Sequence, residues 1–187
     1  MKKINFVFNQ MVLFEMIYYV LFLILGVIIF FNSDMTNKMA AILISVFLIL
    51  KGVLEILASF NQKKYFLFQF SIVLGILSII LAILMIINPF KLLNYIGLFL
   101  GIWFVAEGLN KYMIYLKFKR AKEGCAHIFI LSTLITVFMG ILIIINPFVN
   151  FAITQISGAF IALYSVLTVS DLVLIKNHSK AVLKLYK

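Results

Sequence analysis

The chain has 187 residues, 65% of them hydrophobic and 12% charged, with a mean hydropathy of +1.20 and a formal net charge of +10. That is too apolar for one water-exposed globular core, so the composition predicts an all-α integral membrane protein. The basic residues sit in short clusters between long apolar runs, the distribution that orients membrane helices, which argues against a nucleic-acid partner and for the lipid bilayer as the surroundings.

The chain begins Met1-Lys2-Lys3 and enters an apolar run at about 12–31. This run contains Glu15 and no small-x-small cleavage site, so it reads as an uncleaved first span rather than a signal peptide. Further runs follow at about 39–60, 66–87, 92–116, 128–145 and 149–175. Each is near the ~20 residues needed to cross ~30 Å of hydrocarbon, the fifth being the shortest. Six transmembrane helices are expected.

The spans repeat in pairs. Gly26-Val-Ile-Ile-Phe-Phe-Asn32, Ala82-Ile-Leu-Met-Ile-Ile-Asn88 and Gly140-Ile-Leu-Ile-Ile-Ile-Asn146 each close one span and precede the next. Asn88-Pro-Phe and Asn146-Pro-Phe read as tight turns, because Asn tolerates the left-handed conformation that ends a helix and Pro cannot continue one. The expected architecture is a single transmembrane domain, 1–187, of three helical hairpins at about 12–60, 66–116 and 128–175.

Orientation follows from the 16 Lys and Arg. Lys2, Lys3, Lys63, Lys64, Lys117, Lys119, Arg120, Lys122, Lys176, Lys180, Lys184 and Lys187 fall on one side, against Lys38 and Lys91 on the other, with Lys51 and Lys111 inside spans. The positive-inside rule then places both termini in the cytoplasm and the three Asn-containing tips outside.

Aligning the hairpins through their turn asparagines superposes Ala41, Ser45 and Gly52 on Gly97, Gly101 and Gly108, and on Thr154, Gly158 and Ser165. Spacings of four and seven residues return to nearly the same helical azimuth, so each even-numbered helix carries a seam of small residues. Such seams let backbones approach closely in lipid. The second, fourth and sixth helices are therefore expected to form the inner packing surface, with Gly52, Gly97, Gly101, Gly108 and Gly158 as its glycines.

Beside the seam lie Lys51-Gly-Val-Leu-Glu55 in the second helix and Glu107-Gly-Leu-Asn-Lys111 in the fourth, with opposite charge order at aligned positions. An unpaired charge at such depth costs several kcal/mol, so pairing is expected; at similar depth Lys51 can face Glu107, and Glu55 can face Lys111. Two readings stand for these four residues. One is a charge-balanced clamp, within each helix at i,i+4 or between the second and fourth helices, that fixes register and partner choice. The other is a proton or ion path, since ionisable residues inside membranes commonly mark one. Tyr164 and Thr168 occupy the matching positions of the third repeat.

Glu15 and Asp171 fall near the cytoplasmic ends of the expected spans, close enough for water or neighbouring cations to satisfy them. Trp103, near the middle of the fourth span, is expected to be packed. Cys125, His127 and His178 are three soft ligand types on the cytoplasmic side. With one cysteine and no helical ligand spacing, no metal site and no cofactor are expected, and no intramolecular disulfide can form. No nucleophile elbow, His-Glu-x-x-His, Cys-x-x-Cys or phosphate-binding glycine loop occurs, so no catalytic residues are assigned and an enzyme is not expected.

The carriers of a family resemblance are Ala82, Asn88, Pro89, Gly101 and Gly108 in the second hairpin and Gly140, Asn146, Pro147, Gly158 and Ser165 in the third. Gly or Ala before an Asn-Pro turn, then Gly-x6-Gly in the returning helix, resembles the short-repeat membrane proteins of the DUF308 family, grouped with the HdeD acid-resistance protein. The first hairpin departs from the pattern at Ser33 and Ser45. The resemblance implies a small, multi-pass bacterial inner-membrane protein with an association to acid or other stress, and supplies no catalytic residues. The expected function is a non-enzymatic membrane protein acting through packing, as a homo-oligomer or with a membrane-protein partner. The alternative is a small transporter or channel with Lys51, Glu55, Glu107 and Lys111 along its path.

Overall fold

The computed structural model describes residues 2–32, 37–61, 71–87, 96–145 and 153–185. These form six helices: α1 (Lys2–Phe31), α2 (Asn37–Asn61), α3 (Ser71–Ile87), α4 (Ile96–Arg120), α5 (Ala126–Ile145) and α6 (Ile153–Leu185). Four of them contain stretches long and apolar enough to cross a membrane: Val12–Phe31, Met39–Leu57, Ala126–Ile145 and Gln155–His178. The described part of α3 is apolar but shorter, and α4 carries Glu107 and Lys111 in its middle. The Asn-Pro turns at 88–89 and 146–147 lie outside the described residues.

Two helices differ from the spans read in the sequence. α1 begins ten residues before position 12, and α6 continues ten residues beyond position 175. No Gly or Pro interrupts Lys176-Asn-His-Ser-Lys-Ala-Val-Leu-Lys-Leu185, so nothing stops the helix when its hydrophobicity falls. At 1.5 Å per residue the 33 residues of α6 extend about 50 Å, well beyond ~30 Å of hydrocarbon.

Large apolar side chains cover the outside, among them Phe14, Leu21, Phe31, Leu57, Ile87 and Leu131. In water this surface would be prohibitive; against acyl chains it is matched. Inside, Trp103 is packed as expected, with ring centroids 5.2 Å from Phe104, 5.2 Å from Tyr164 and 6.0 Å from Phe22. Its indole N–H donates to Ser78 Oγ at 3.1 Å, which settles the one polar atom of a fully buried ring.

The most extensive helix contacts are α1 with α6, α2 with α3, and α4 with α5. None of these pairs is joined by an Asn-containing turn. Each is held by a reciprocal glycine contact. A Cβ on Gly26 would stand 2.8 Å from Gly158 O, and one on Gly158 2.8 Å from Gly26 O. The corresponding distances are 2.6 and 2.8 Å for Gly52 and Gly75, and 2.7 and 2.8 Å for Gly101 and Gly140. Real Cβ atoms do not sit that close to a carbonyl oxygen, so only glycine allows these approaches.

The seam expectation is corrected accordingly. Small residues of the even-numbered helices face the odd-numbered helices rather than one another, because the even helices meet through long side chains that need more room. Gly97 is the weakest member, partly exposed and near only Ile143. Ser45 and Ser165 return their hydroxyls to Ala41 O and Ile161 O of their own helices, at 2.7 and 2.8 Å. They therefore pack as small, polar-neutral surfaces.

Candidate functional site: a buried ionic chamber

The glycine contacts draw α1, α5 and α6 close enough to bring side chains to the centre that are far apart in sequence. Lys51 of α2 is buried, and its three ammonium protons face three oxygens. Nζ donates to Glu55 Oε1 one turn on at 2.7 Å and to Tyr19 OH of α1 at 2.7 Å. It also stands 2.7 Å from Glu107 Oε1 of α4, an ionic contact without hydrogen-bond alignment. The ammonium lies 5.2 Å from the ring centre of Tyr19 and 5.8 Å from that of Trp103, so aromatic faces replace part of its hydration.

Lys111 is not paired with Glu55, as the aligned charge order had suggested. It donates to Asp171 Oδ2 of α6 at 2.7 Å and to Ser132 Oγ of α5 at 2.9 Å, while Ser132 donates to the same Asp171 oxygen at 2.7 Å. Asp171, expected to be satisfied by water or a neighbouring cation, has the cation. It is 4% exposed. Asp171 is seven residues beyond Tyr164, on the same azimuth, and that spacing was the readable signal of a shared interior face.

The two ion clusters meet through tyrosines. Tyr19 and Tyr164 hydroxyls are 3.3 Å apart, and Lys111 Nζ lies 5.1 Å from the Tyr164 ring centre. Tyr164 links the two clusters without a charge.

A cavity of about 60 Å³ adjoins the clusters, lined by Glu15, Lys51, Glu55, Glu107, Lys111 and Asp171 together with Tyr18, Tyr19, Asn110, Tyr164 and Thr168. That is room for several waters, each needing roughly 10–15 Å³ of such volume. Glu15, three residues inside the end of the Val12–Phe31 span, is half-buried on this lining. Four of the chain's six acidic residues thus converge on two lysines. Glu55 Oε2 and Asp171 Oδ1 are buried without a hydrogen-bond partner in the protein. Towards the Asn-containing ends of the helices, Phe22, Leu48, Phe104 and Ile161 are fully buried and close the interior on that side.

Of the soft-ligand candidates, Cys125 and His178 come together with Glu123, while His127 is exposed and apart from them. Burial, with the charge of Glu123, pushes the Cys125 thiol above its ordinary value, so it lacks the depressed pKa of an activated nucleophile.

The family model described as a short repeat of unknown function, DUF308, matches the chain twice, over residues 20–85 and 73–145. No curated protein and no solved structure matches. The two matched segments together span more than half of the chain, and they contain Lys51, Glu55, Glu107, Lys111 and five of the six glycines in the reciprocal contacts. The protein is therefore a helical membrane protein belonging to the DUF308 short-repeat family.

Proposed function

We propose that this is a non-enzymatic membrane protein whose interior chamber binds a proton or a small monovalent cation. The observation that carries the reading is the charge balance: among the described residues that line the cavity, Glu15, Glu55, Glu107 and Asp171 meet two lysines, Lys51 and Lys111. The balanced set of two lysines and two glutamates, which favoured a purely structural clamp, gains two carboxyl groups from α1 and α6. With every group ionised, two negative charges would lack partners in a low-dielectric interior, at several kcal/mol each. Two bound protons or monovalent cations complete the balance, and Glu55 Oε2 and Asp171 Oδ1, carboxylate oxygens buried without hydrogen-bond partners, are their natural seats.

In this reading the protein is a six-span, three-hairpin protein of a bacterial inner membrane with both termini cytoplasmic. The chamber is entered from the terminal side and sealed towards the turns by Phe22, Leu48, Phe104 and Ile161. Conduction would therefore require a second conformation. An association with acid stress, implied by the HdeD resemblance, suits a carboxyl-rich chamber that loads on the cytoplasmic side.

Reconstituted liposomes with an internal pH dye, and separately with Na⁺ or K⁺ gradients, test the reading. Flux or stoichiometric ion uptake that vanishes in Glu107→Gln while the variant remains folded supports it. Neither flux nor uptake in the wild type would leave packing or partner association as the role. Orientation is checked by labelling single cysteines from outside in a Cys125→Ser background. Probes at Thr36 and Val149 should react, and probes at Lys64 and Lys119 should not.

A further inference from the structure

We propose that Glu123, Cys125 and His178 form a zinc-binding site that ties the α4–α5 turn to the far end of α6. The site lies apart from the chamber and involves none of its residues. One nitrogen, one sulfur and one oxygen donor converge there, all within 4.8 Å of one another, and His178 Nδ1 and Glu123 Oε2 are 3.1 Å apart. Bonds of about 2.0–2.3 Å in a tetrahedron separate donor atoms by about 3.3–3.8 Å. Side-chain rotations moving the donors by about 1 Å would therefore close the set around one ion, with water in the fourth position.

The backbone holds two of the donors in place. α4 ends with Lys122 at φ 55°, the left-handed position that usually takes glycine. The flanking bonds Glu123 N to Phe118 O, 3.2 Å, and Lys122 N to Lys119 O, 3.0 Å, complete a Schellman turn. Beyond it, Ala126 N donates to Glu123 O at 3.1 Å and Ile128 N to Cys125 O at 3.0 Å as α5 begins. Phe118 and Phe129, with ring centroids 4.7 Å apart, back the turn from inside. The loop donors are thus fixed on one side, and His178 approaches from a separate helix. Of the neighbouring cations, Lys119 lies over the Tyr115 ring.

The mixed donor set selects a borderline transition ion over Mg²⁺ or Ca²⁺, which prefer oxygen alone. Binding would release the Cys125 proton to solvent. The test is a titration of the tag-free, full-length protein in detergent, with Zn²⁺ against a chromophoric competitor and with Co²⁺ followed by absorbance. One ion per chain and a thiolate-to-cobalt charge-transfer band are expected. Cys125→Ser should abolish the band, and His178→Ala or Glu123→Gln should weaken zinc by at least about ten-fold, the lower end of what losing even an outer-shell partner costs. His127→Ala should bind as the wild type does. Unchanged zinc affinity in Cys125→Ser, or a cobalt complex without the thiolate band, would overturn the site, as would a loss that follows His127 instead.

Discussion

The three glycine contacts and the ionic chamber hold the same helices by opposite means. At Gly26–Gly158, Gly52–Gly75 and Gly101–Gly140 the backbones touch because nothing lies between them, and each contact involves only two helices. In the chamber, Lys51, Glu107, Lys111 and Asp171 span α2, α4 and α6, with Tyr19 and Ser132 reaching in from α1 and α5. The first kind of contact tolerates no added atom but no charge rule governs it. The second tolerates rearrangement of atoms, provided charge stays matched. Steric fit sets which helices are neighbours, and electrostatics sets how the neighbours are registered at the centre.

The largest expected effect breaks charge matching. Lys51→Glu places a third carboxylate against Glu55 and Glu107 and should cost at least the ~3–5 kcal/mol that follows loss of one partner of a buried pair. Thermal unfolding in detergent measures it. Adding Glu107→Lys should restore a substantial part of the loss, and purely additive destabilisation would deny that the two residues are coupled.

Next comes Asp171→Asn, which leaves Lys111 with the neutral Ser132 and a neutral amide; a loss of about 3 kcal/mol is expected. The double variant Asp171→Asn with Lys111→Met should be more stable than Asp171→Asn alone. If the single variant were as stable as the wild type, Asp171 would be satisfied by water rather than by Lys111.

The glycine contacts then sharpen the comparison. Gly101→Ala forces a methyl to within 2.7 Å of the Gly140 carbonyl oxygen and 2.4 Å of Ile144, and should cost about 1–3 kcal/mol; leucine at the same position should reduce folded yield outright. Gly97→Ala meets Ile143 at 3.3 Å, a contact that a small side-chain shift relieves, so less than about 1 kcal/mol is expected. Equal losses at the two positions would mean that helix flexibility, not contact, explains both. The smallest effect is at Gly124, where an added Cβ meets nothing within 4 Å; Gly124→Ala should stay within about 0.5 kcal/mol.

Much of this was legible in the residues. A 3.6-residue period with small residues at spacings of four and seven marks Gly101, Gly108 and Gly158 as buried, because azimuth along a helix is a local property. The depth of Lys51 and Glu107 and the need for them to be neutralised followed from position within apolar runs. Which partner each charge takes did not. Lys111 had Glu55 on an aligned helix and Asp171 on another as candidates, and the choice depended on where α6 passes and how far it extends. Helix ends were the weakest reading, since hydrophobicity reports where lipid stops and not where hydrogen bonding along the backbone stops.

The sequence by itself determined that the protein is helical and membrane-embedded, that small residues line one face of its even-numbered helices, and that a few charges lie deep within spans. Each of these is decided by composition or by periodicity along a single helix. Only the tertiary structure decided that α1 packs on α6, that the glycines meet across the pairs α2–α3 and α4–α5, and that two lysines share four carboxyl groups. Those outcomes depend on the distance between helices, which is set by whichever pair of backbones can touch, and no single helix carries that information.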